Sequence, residues 1–137
     1  MAYARPALAG LGWLFVALVI VQVFWAGSAL FAGGDFALHR DFGYMVSLVP
    51  LLILVAALPA RAGRRMLGLA GLLFVVTLVQ TILPILRDDA PFLAALHPVN
   101  ALLVFWLGLA VARRATALAR APLQRTAGEP ARAGATD

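Results

Sequence analysis

The chain contains no cysteine and no lysine, and charged residues make up only 12% of its 137 positions. The absence of cysteine excludes disulfide bonds, iron–sulfur clusters and thiol catalysis. The sequence also has no Ser–His–Asp set, no paired-carboxylate pattern and no glycine-rich phosphate loop. Soluble domains carry about 25% charged residues, whereas this chain is 64% hydrophobic. The composition therefore predicts an integral membrane protein with no large soluble part.

The net charge of +5 comes from eleven arginines set against six acidic residues. In a membrane protein such an excess mainly reports topology and contact with lipid headgroups, so we do not expect nucleic-acid binding. With both termini in the cytoplasm, nine arginines fall on the inner side and only Arg40 and Arg87 on the outer side. This bias predicts cytoplasmic N and C termini in the inner membrane of a bacterium.

The apolar segments predict an all-α, up-down four-helix bundle with short loops. The predicted helices cover residues 7–32, 36–60, 66–86 and 91–112. The first apolar run is longer than the core of a signal peptide, so we expect a retained helix. Pro50 and Pro98 are expected to lie inside helices, with Pro98 kinking the fourth and His97 within it. Residues 115–137 are predicted to be a basic cytoplasmic tail, which is disordered at least beyond Pro122. The alternative for its first residues is that the fourth helix continues to about Arg120.

The chain contains two copies of one pattern, separated by 58 positions. Val21-Gln22 followed by Leu38-His39 recurs as Val79-Gln80 followed by Leu96-His97. Each copy holds one helix hairpin, so the second and fourth helices become equivalent under a two-fold axis along the membrane normal. An ionisable residue in an apolar span is a functional-site hypothesis by default. We therefore expect the two histidines, the only ones in the chain, to meet on this axis near the outer face.

Two facing imidazoles suit the axial positions of one haem. Diagonal helices in such a bundle lie roughly 11–14 Å apart. Two histidine side chains that reach inward from these helices, together with two metal–nitrogen bonds of ~2 Å, span that distance. Gly43 and Ala101 follow His39 and His97 by four residues in each copy and leave room for a flat macrocycle. Arg40, and with it Arg87, is a candidate partner for the haem propionates, although Arg40 would equally pair with Asp41.

Other interpretations of these residues remain open. A membrane histidine is often only an interhelical hydrogen-bonding residue, and Gln22 and Gln80 are more often contacts between helices than contacts to a cofactor. A bare zinc or copper ion would require three or four ligands, and no cysteine, glutamate or third histidine is near. The registered pair favours haem.

The two histidine segments also resemble a known family. Leu38-His39-Arg40 and Leu96-His97-Pro98 resemble half of a haem A synthase, a duplicated eight-helix enzyme whose four-helix halves carry paired haem-ligand histidines. The resemblance covers residues 8–114 and implies that both histidines bind haem. Phe36 stands where the synthase has a glutamate, and the synthase's outer-loop cysteines have no counterpart. The resemblance therefore implies haem binding rather than haem A synthesis. The chain is also similar to an uncharacterised family of small bacterial four-helix membrane proteins with a helix-1 glutamine and two such histidines.

The sequence thus predicts a membrane b-type cytochrome that binds one bis-histidine haem, for electron transfer or haem handling rather than as a stand-alone enzyme. The partner would be a redox protein or a quinone, with membrane lipid around the bundle. The competing hypothesis is a cofactor-free accessory or scaffold subunit, in which the same histidines and glutamines only join helices.

Overall fold

The computed structural model describes residues 3–121, and within this range the chain forms helices joined by short turns. In order they are α1 (Ala4–Phe31), α2 (Ala37–Val46), α3 (Val49–Ala57), α4 (Arg64–Ile82), a 3₁₀ helix (Leu83–Arg87), α5 (Pro91–Ala94) and α6 (His97–Arg120). By length and composition they make four membrane-length spans: Ala4–Phe31, Ala37–Ala57, Arg64–Arg87 and Pro91–Arg120. The predicted all-α four-helix class is confirmed.

Three of the four spans are interrupted beside a proline. Pro50, Pro84 and Pro98 each lie in the first turn of a new helix, namely α3, the 3₁₀ helix and α6. Proline has no N–H, and its ring collides with the carbonyl one turn earlier, so the preceding helix ends before it. The expected continuous helices over 36–60, 66–86 and 91–112 are corrected accordingly. His97 begins α6 and does not lie inside a kinked helix.

The fourth span also ends later than predicted. Helix α6 runs to Arg120, so residues 115–120 of the predicted tail are helical. This stretch contains several strong helix formers, and Ala115 is fully buried in the bundle. Residues 122–137, which make up the rest of the predicted tail, lie outside the described residues.

The spans surround a common axis in chain order. Helix α1 packs most extensively on α6 and also contacts α2 and α3, while α4 packs on α3 and α6. Each span therefore neighbours the spans before and after it, and the first closes the ring with the fourth. The second and fourth spans are diagonal, as predicted for an up-down bundle.

The two ends of the bundle are packed differently. At the end nearest the N terminus, large side chains are fully buried: Leu8, Phe15, Ile53, Met66, Leu73 and Val111. There α1 and α6 approach closely through Gly12 and Gly108, since a Cβ on either would lie 2.8 Å from an atom of the facing helix. Small residues permit such close contact in membrane bundles. Toward the other end the helices leave a cavity, while many apolar side chains on the outside face the position of lipid.

Candidate functional site

A cavity of about 1230 Å³ lies between the spans at the end carrying the turn before α2 and the turn after the 3₁₀ helix. The site residues singled out from the sequence all line it: Gln22, His39, Arg40, Gly43, Gln80, Arg87, His97 and Ala101. The remaining lining is mostly apolar and includes Phe15, Val19 and Phe105. The cavity is thus a pocket with few polar groups, the usual form of a site for a large organic ligand.

Both histidines are held by the same backbone contact. His39 Nδ1 lies 3.0 Å from the carbonyl oxygen of Gln22, and His97 Nδ1 lies 3.1 Å from that of Gln80. A carbonyl only accepts, so each Nδ1 must carry its proton and donate it. The repeat explains why the two contacts are the same, because in each hairpin the glutamine and the histidine are 17 residues apart on antiparallel helices. Each Nε2 therefore keeps its lone pair.

The two imidazoles face each other across the bundle axis. Their ring centroids are 6.1 Å apart, and the ring planes stand at 80° to one another. Phe36 contacts His39 edge-on, with ring centroids 6.1 Å apart. The predicted meeting of the two histidines on the axis is therefore present, and both side chains are half-buried.

The glutamine side chains differ between the two copies. Gln22 Nε2 donates to the backbone carbonyl of His39 at 2.5 Å, and within residues 3–121 its buried Oε1 has no hydrogen-bond partner. Gln80 Nε2 instead lies 3.2 Å from His97 Nε2, to which it donates, since Nδ1 already carries the proton. Both glutamines join neighbouring helices, one of the two roles predicted for them.

Asn100 is a site residue that the sequence interpretation did not identify. Its Nδ2 donates to Gln80 Oε1 at 2.7 Å and to the Val76 carbonyl at 3.1 Å. This contact turns the Gln80 amide so that its N–H groups face His97. Two signals were available in the sequence: Asn100 follows His97 by three residues, which places it on the same helix face, and an amide in an apolar span is costly.

The small residues of the site have different neighbours. A Cβ on Gly43 would lie 2.5 Å from Gln22 Nε2, so the space beside Gly43 holds the Gln22 amide. Ala101 lines the cavity directly. Gly43 therefore admits the glutamine in this structure, and whether either residue also admits a macrocycle stays a prediction.

The two arginines lie at the rim of the cavity. Arg40 Nε pairs with Asp41 Oδ1 at 2.8 Å, and Arg87 Nε lies 3.6 Å from Asp88 Oδ1. All four side chains are largely exposed. Exposed pairs of this kind are weak, so each guanidinium can exchange its carboxylate partner for another one.

The two imidazoles are the histidine ligands that the site offers to a metal. Across residues 3–121, no group of three or more His, Cys, Asp or Glu side chains is arranged to share one ion. Any metal held here by the chain would therefore draw its further ligands from elsewhere.

Comparison with known proteins gives one match. The family of unknown function DUF6220 matches residues 22–85, a stretch that begins at Gln22 and covers 64 of 137 residues, just under half of the chain. It includes His39 and Gln80 and ends before His97. No curated protein and no solved structure matches. The resemblance to haem A synthase stays a hypothesis.

Proposed function

We propose that this protein is a membrane b-type cytochrome in which His39 and His97 jointly bind one haem. The observation that carries the proposal is the separation of the two imidazoles. When two imidazoles bind one iron from opposite sides, each metal–nitrogen bond is about 2 Å long. Adding the distance from each nitrogen to the centroid of its own ring places the two centroids about 6 Å apart. The observed centroids are 6.1 Å apart.

The hydrogen bonds of the histidines support the same assignment. Metal-bound histidines usually donate their other ring N–H to a carbonyl or carboxylate, which fixes the tautomer and the ring orientation. His39 and His97 each donate Nδ1–H to a glutamine carbonyl. This arrangement leaves Nε2 as the ligand atom in both copies of the repeat, and to bind iron His97 Nε2 would exchange its hydrogen bond from Gln80 for the metal.

The surroundings of the pair fit a macrocycle better than a bare ion. A structural metal ion bound only by protein normally has four ligands, whereas a porphyrin supplies four nitrogens and needs only the two axial ones. The cavity of about 1230 Å³ has a mostly apolar lining, which suits a flat aromatic ring. Within residues 3–121 the buried Gln22 Oε1 beside Gly43 has no hydrogen-bond partner, so this oxygen can accept a hydrogen bond when the cavity fills.

Bound haem supplies one-electron chemistry. His39 and His97 would both hold the iron, which would leave no position for an exogenous ligand while both imidazoles are bound. The cavity is mostly apolar and carries Asp35, Arg40 and Arg87 toward the end of the bundle, where a redox protein or a quinone can approach. Electron transfer or haem handling therefore suits the site better than stand-alone catalysis.

A cofactor-free scaffold is the second candidate. It is favoured by one observation: Gln80 donates to His97 Nε2, so this imidazole is satisfied without metal. In that case the glutamines and histidines only join the spans.

The visible spectrum of the purified protein separates the two candidates. Protein from haem-replete cells should show a Soret band and the low-spin α and β bands of a six-coordinate b-type haem after reduction. Absence of a Soret band, together with no uptake of added haemin by the folded protein, would establish the scaffold instead.

Topology is the first prediction that follows. The nine-to-two arginine bias predicts cytoplasmic termini in a bacterial inner membrane, with both histidines toward the outside. Reporter fusions after residues 35, 63, 89 and 120 should give periplasmic signals at 35 and 89 and cytoplasmic signals at 63 and 120. The reverse pattern would refute this orientation and the placement of the site near the outer face.

A second prediction concerns Arg40 as a partner of a haem propionate. Arg40→Ala removes a positive charge beside the site, so the oxidised haem gains stability and the midpoint potential should fall. Because the side chain is exposed, we expect a change on the order of 10 mV. Arg65→Ala, which removes the same charge at the other end of the bundle, is the control. Unchanged haem content and an unchanged potential in Arg40→Ala would leave Arg40 paired only with Asp41.

A further inference from the structure

The two copies of the repeat carry the same glutamine and histidine but differ in one hydrogen bond. Gln80 Nε2 lies 3.2 Å from His97 Nε2. Gln22 Nε2 instead donates to the backbone carbonyl of His39 at 2.5 Å. Among residues 3–121, no hydrogen bond to His39 Nε2 is formed. The atoms that would bind iron are therefore not equivalent.

We propose that His97 is the exchangeable ligand of the pair, that Gln80 and Asn100 hold its imidazole when it leaves the metal, and that a small neutral molecule takes the vacated position. This inference rests on the proposed haem site. It makes His39 the permanent ligand, and it makes Gln80 and Asn100 positioning residues.

The first step of the argument is the energy of an imidazole that has left the metal. A half-buried ring nitrogen whose lone pair has lost its partner is unfavourable, because it has given up solvent without gaining a replacement hydrogen bond. For His97 the Gln80 amide supplies a replacement partner, whereas for His39 the Gln22 amide is occupied with a backbone carbonyl. Release of His97 is therefore the less costly of the two.

Asn100 determines which way the Gln80 amide points. Its Nδ2 donates to Gln80 Oε1 at 2.7 Å, so the opposite side of that amide, Nε2, faces His97. The 58-residue offset puts Phe42 at the equivalent position of the first copy. Because phenylalanine cannot donate a hydrogen bond, nothing there orients Gln22 in the same way.

The exchange is balanced without redox chemistry. His97 Nδ1 keeps its proton throughout and donates it to the Gln80 carbonyl. Its Nε2 lone pair would bind the metal before the exchange and accept the Gln80 N–H after it. No proton or electron is transferred. The mostly apolar lining disfavours an ion as the entering molecule, so a small neutral ligand is expected, and carbon monoxide is the probe.

The experiment titrates the dithionite-reduced, haem-loaded full-length protein with carbon monoxide and follows the Soret band. The wild type should bind it. Gln80→Leu should bind it about 2- to 10-fold more weakly, because one hydrogen bond that stabilises the released imidazole is lost. Gln22→Leu removes the equivalent amide of the first copy and should weaken binding less than Gln80→Leu does. Thr81→Ala, which removes only a hydroxyl that donates to the Leu78 carbonyl of its own helix, is the control and should stay within about twofold of the wild type.

A double-mutant cycle tests the role of Asn100. Asn100→Leu should weaken carbon monoxide binding in the same direction as Gln80→Leu. The double variant should be no weaker than Gln80→Leu alone, because both substitutions remove one connected interaction. Additive effects would contradict the positioning role.

A measurement on the haem-free protein tests the inference even for variants that take up little haem. In ¹⁵N-histidine spectra of the haem-free protein, one Nε2 signal should carry the shift of a hydrogen-bonded acceptor, and it should move in Gln80→Leu and not in Gln22→Leu. Two equivalent Nε2 signals in the wild type would overturn the inference.

Failure of the inference is distinguishable from failure of the cytochrome proposal. A reduced protein that keeps its low-spin haem spectrum under saturating carbon monoxide is a cytochrome without an exchangeable ligand. Equal weakening by Gln80→Leu and Gln22→Leu would also overturn the inference, with the haem site intact. A wild type that binds no haem refutes the proposed function itself.

Discussion

His39→Ala and His97→Ala should each abolish the six-coordinate low-spin spectrum of the haem-loaded protein. Each substitution removes one of two imidazoles whose centroids are 6.1 Å apart, and alanine offers no ligand atom. Of the other residues lining the cavity, none is a histidine, cysteine or methionine, so no second imidazole, thiolate or thioether can replace the lost ligand. The lining tyrosine, Tyr44, could supply only a phenolate oxygen. Reduced-minus-oxidised difference spectra, together with a pyridine haemochrome assay for total haem, measure the effect.

A cavity residue with a purely local hydrogen bond serves as the control for these variants. Thr81 lines the same cavity, and its hydroxyl donates to the Leu78 carbonyl within its own helix at 2.8 Å. Thr81→Ala should therefore leave the low-spin spectrum unchanged. If either histidine variant kept an unaltered low-spin spectrum, joint ligation by the pair would be refuted.

The position of the histidine pair could be predicted from the sequence because it depends only on the order of the spans and on the equal depth of the two histidines in their copies of the repeat. The 58-residue offset makes the second and fourth spans equivalent, and short turns make them diagonal. Side chains at equivalent depth on diagonal helices then meet at the axis. His39 and His97 do so, and the residues four positions further along, Gly43 and Ala101, line the same cavity.

The hydrogen bonds of the glutamines could not be predicted in the same way. Gln22 and Gln80 each follow a valine and each precede a histidine by 17 residues, and their amides nevertheless point at different atoms. The difference comes from Asn100, which reaches Gln80 from another span. A repeat pattern emphasises positions that agree, so a residue without a counterpart in the other copy escapes notice.

The glycines show the same limitation in the packing of the bundle. The 58-residue offset also relates Gly10 to Gly68, and beyond its own stretch of helix neither has an atom within 4 Å of the position of a Cβ. Gly12 and Gly108 do not belong to the repeat, and they form the close contact between α1 and α6. Agreement between the copies thus did not identify the glycines that the packing requires.

Gly12→Ala and Gly10→Ala should change the stability of the bundle in opposite directions, although the two positions are only two residues apart on α1. A Cβ on Gly12 would lie 2.8 Å from Ala112 Cα, a backbone atom that moves only if α6 moves. Such overpacking should lower the free energy of unfolding by about 1–3 kcal/mol. Gly10 is exposed, so alanine there should raise it by up to about 1 kcal/mol through helix propensity. Unfolding in mixed micelles of increasing denaturing detergent, followed by circular dichroism, measures both changes. Equal stability of the two variants would mean that α1 and α6 do not pack through Gly12.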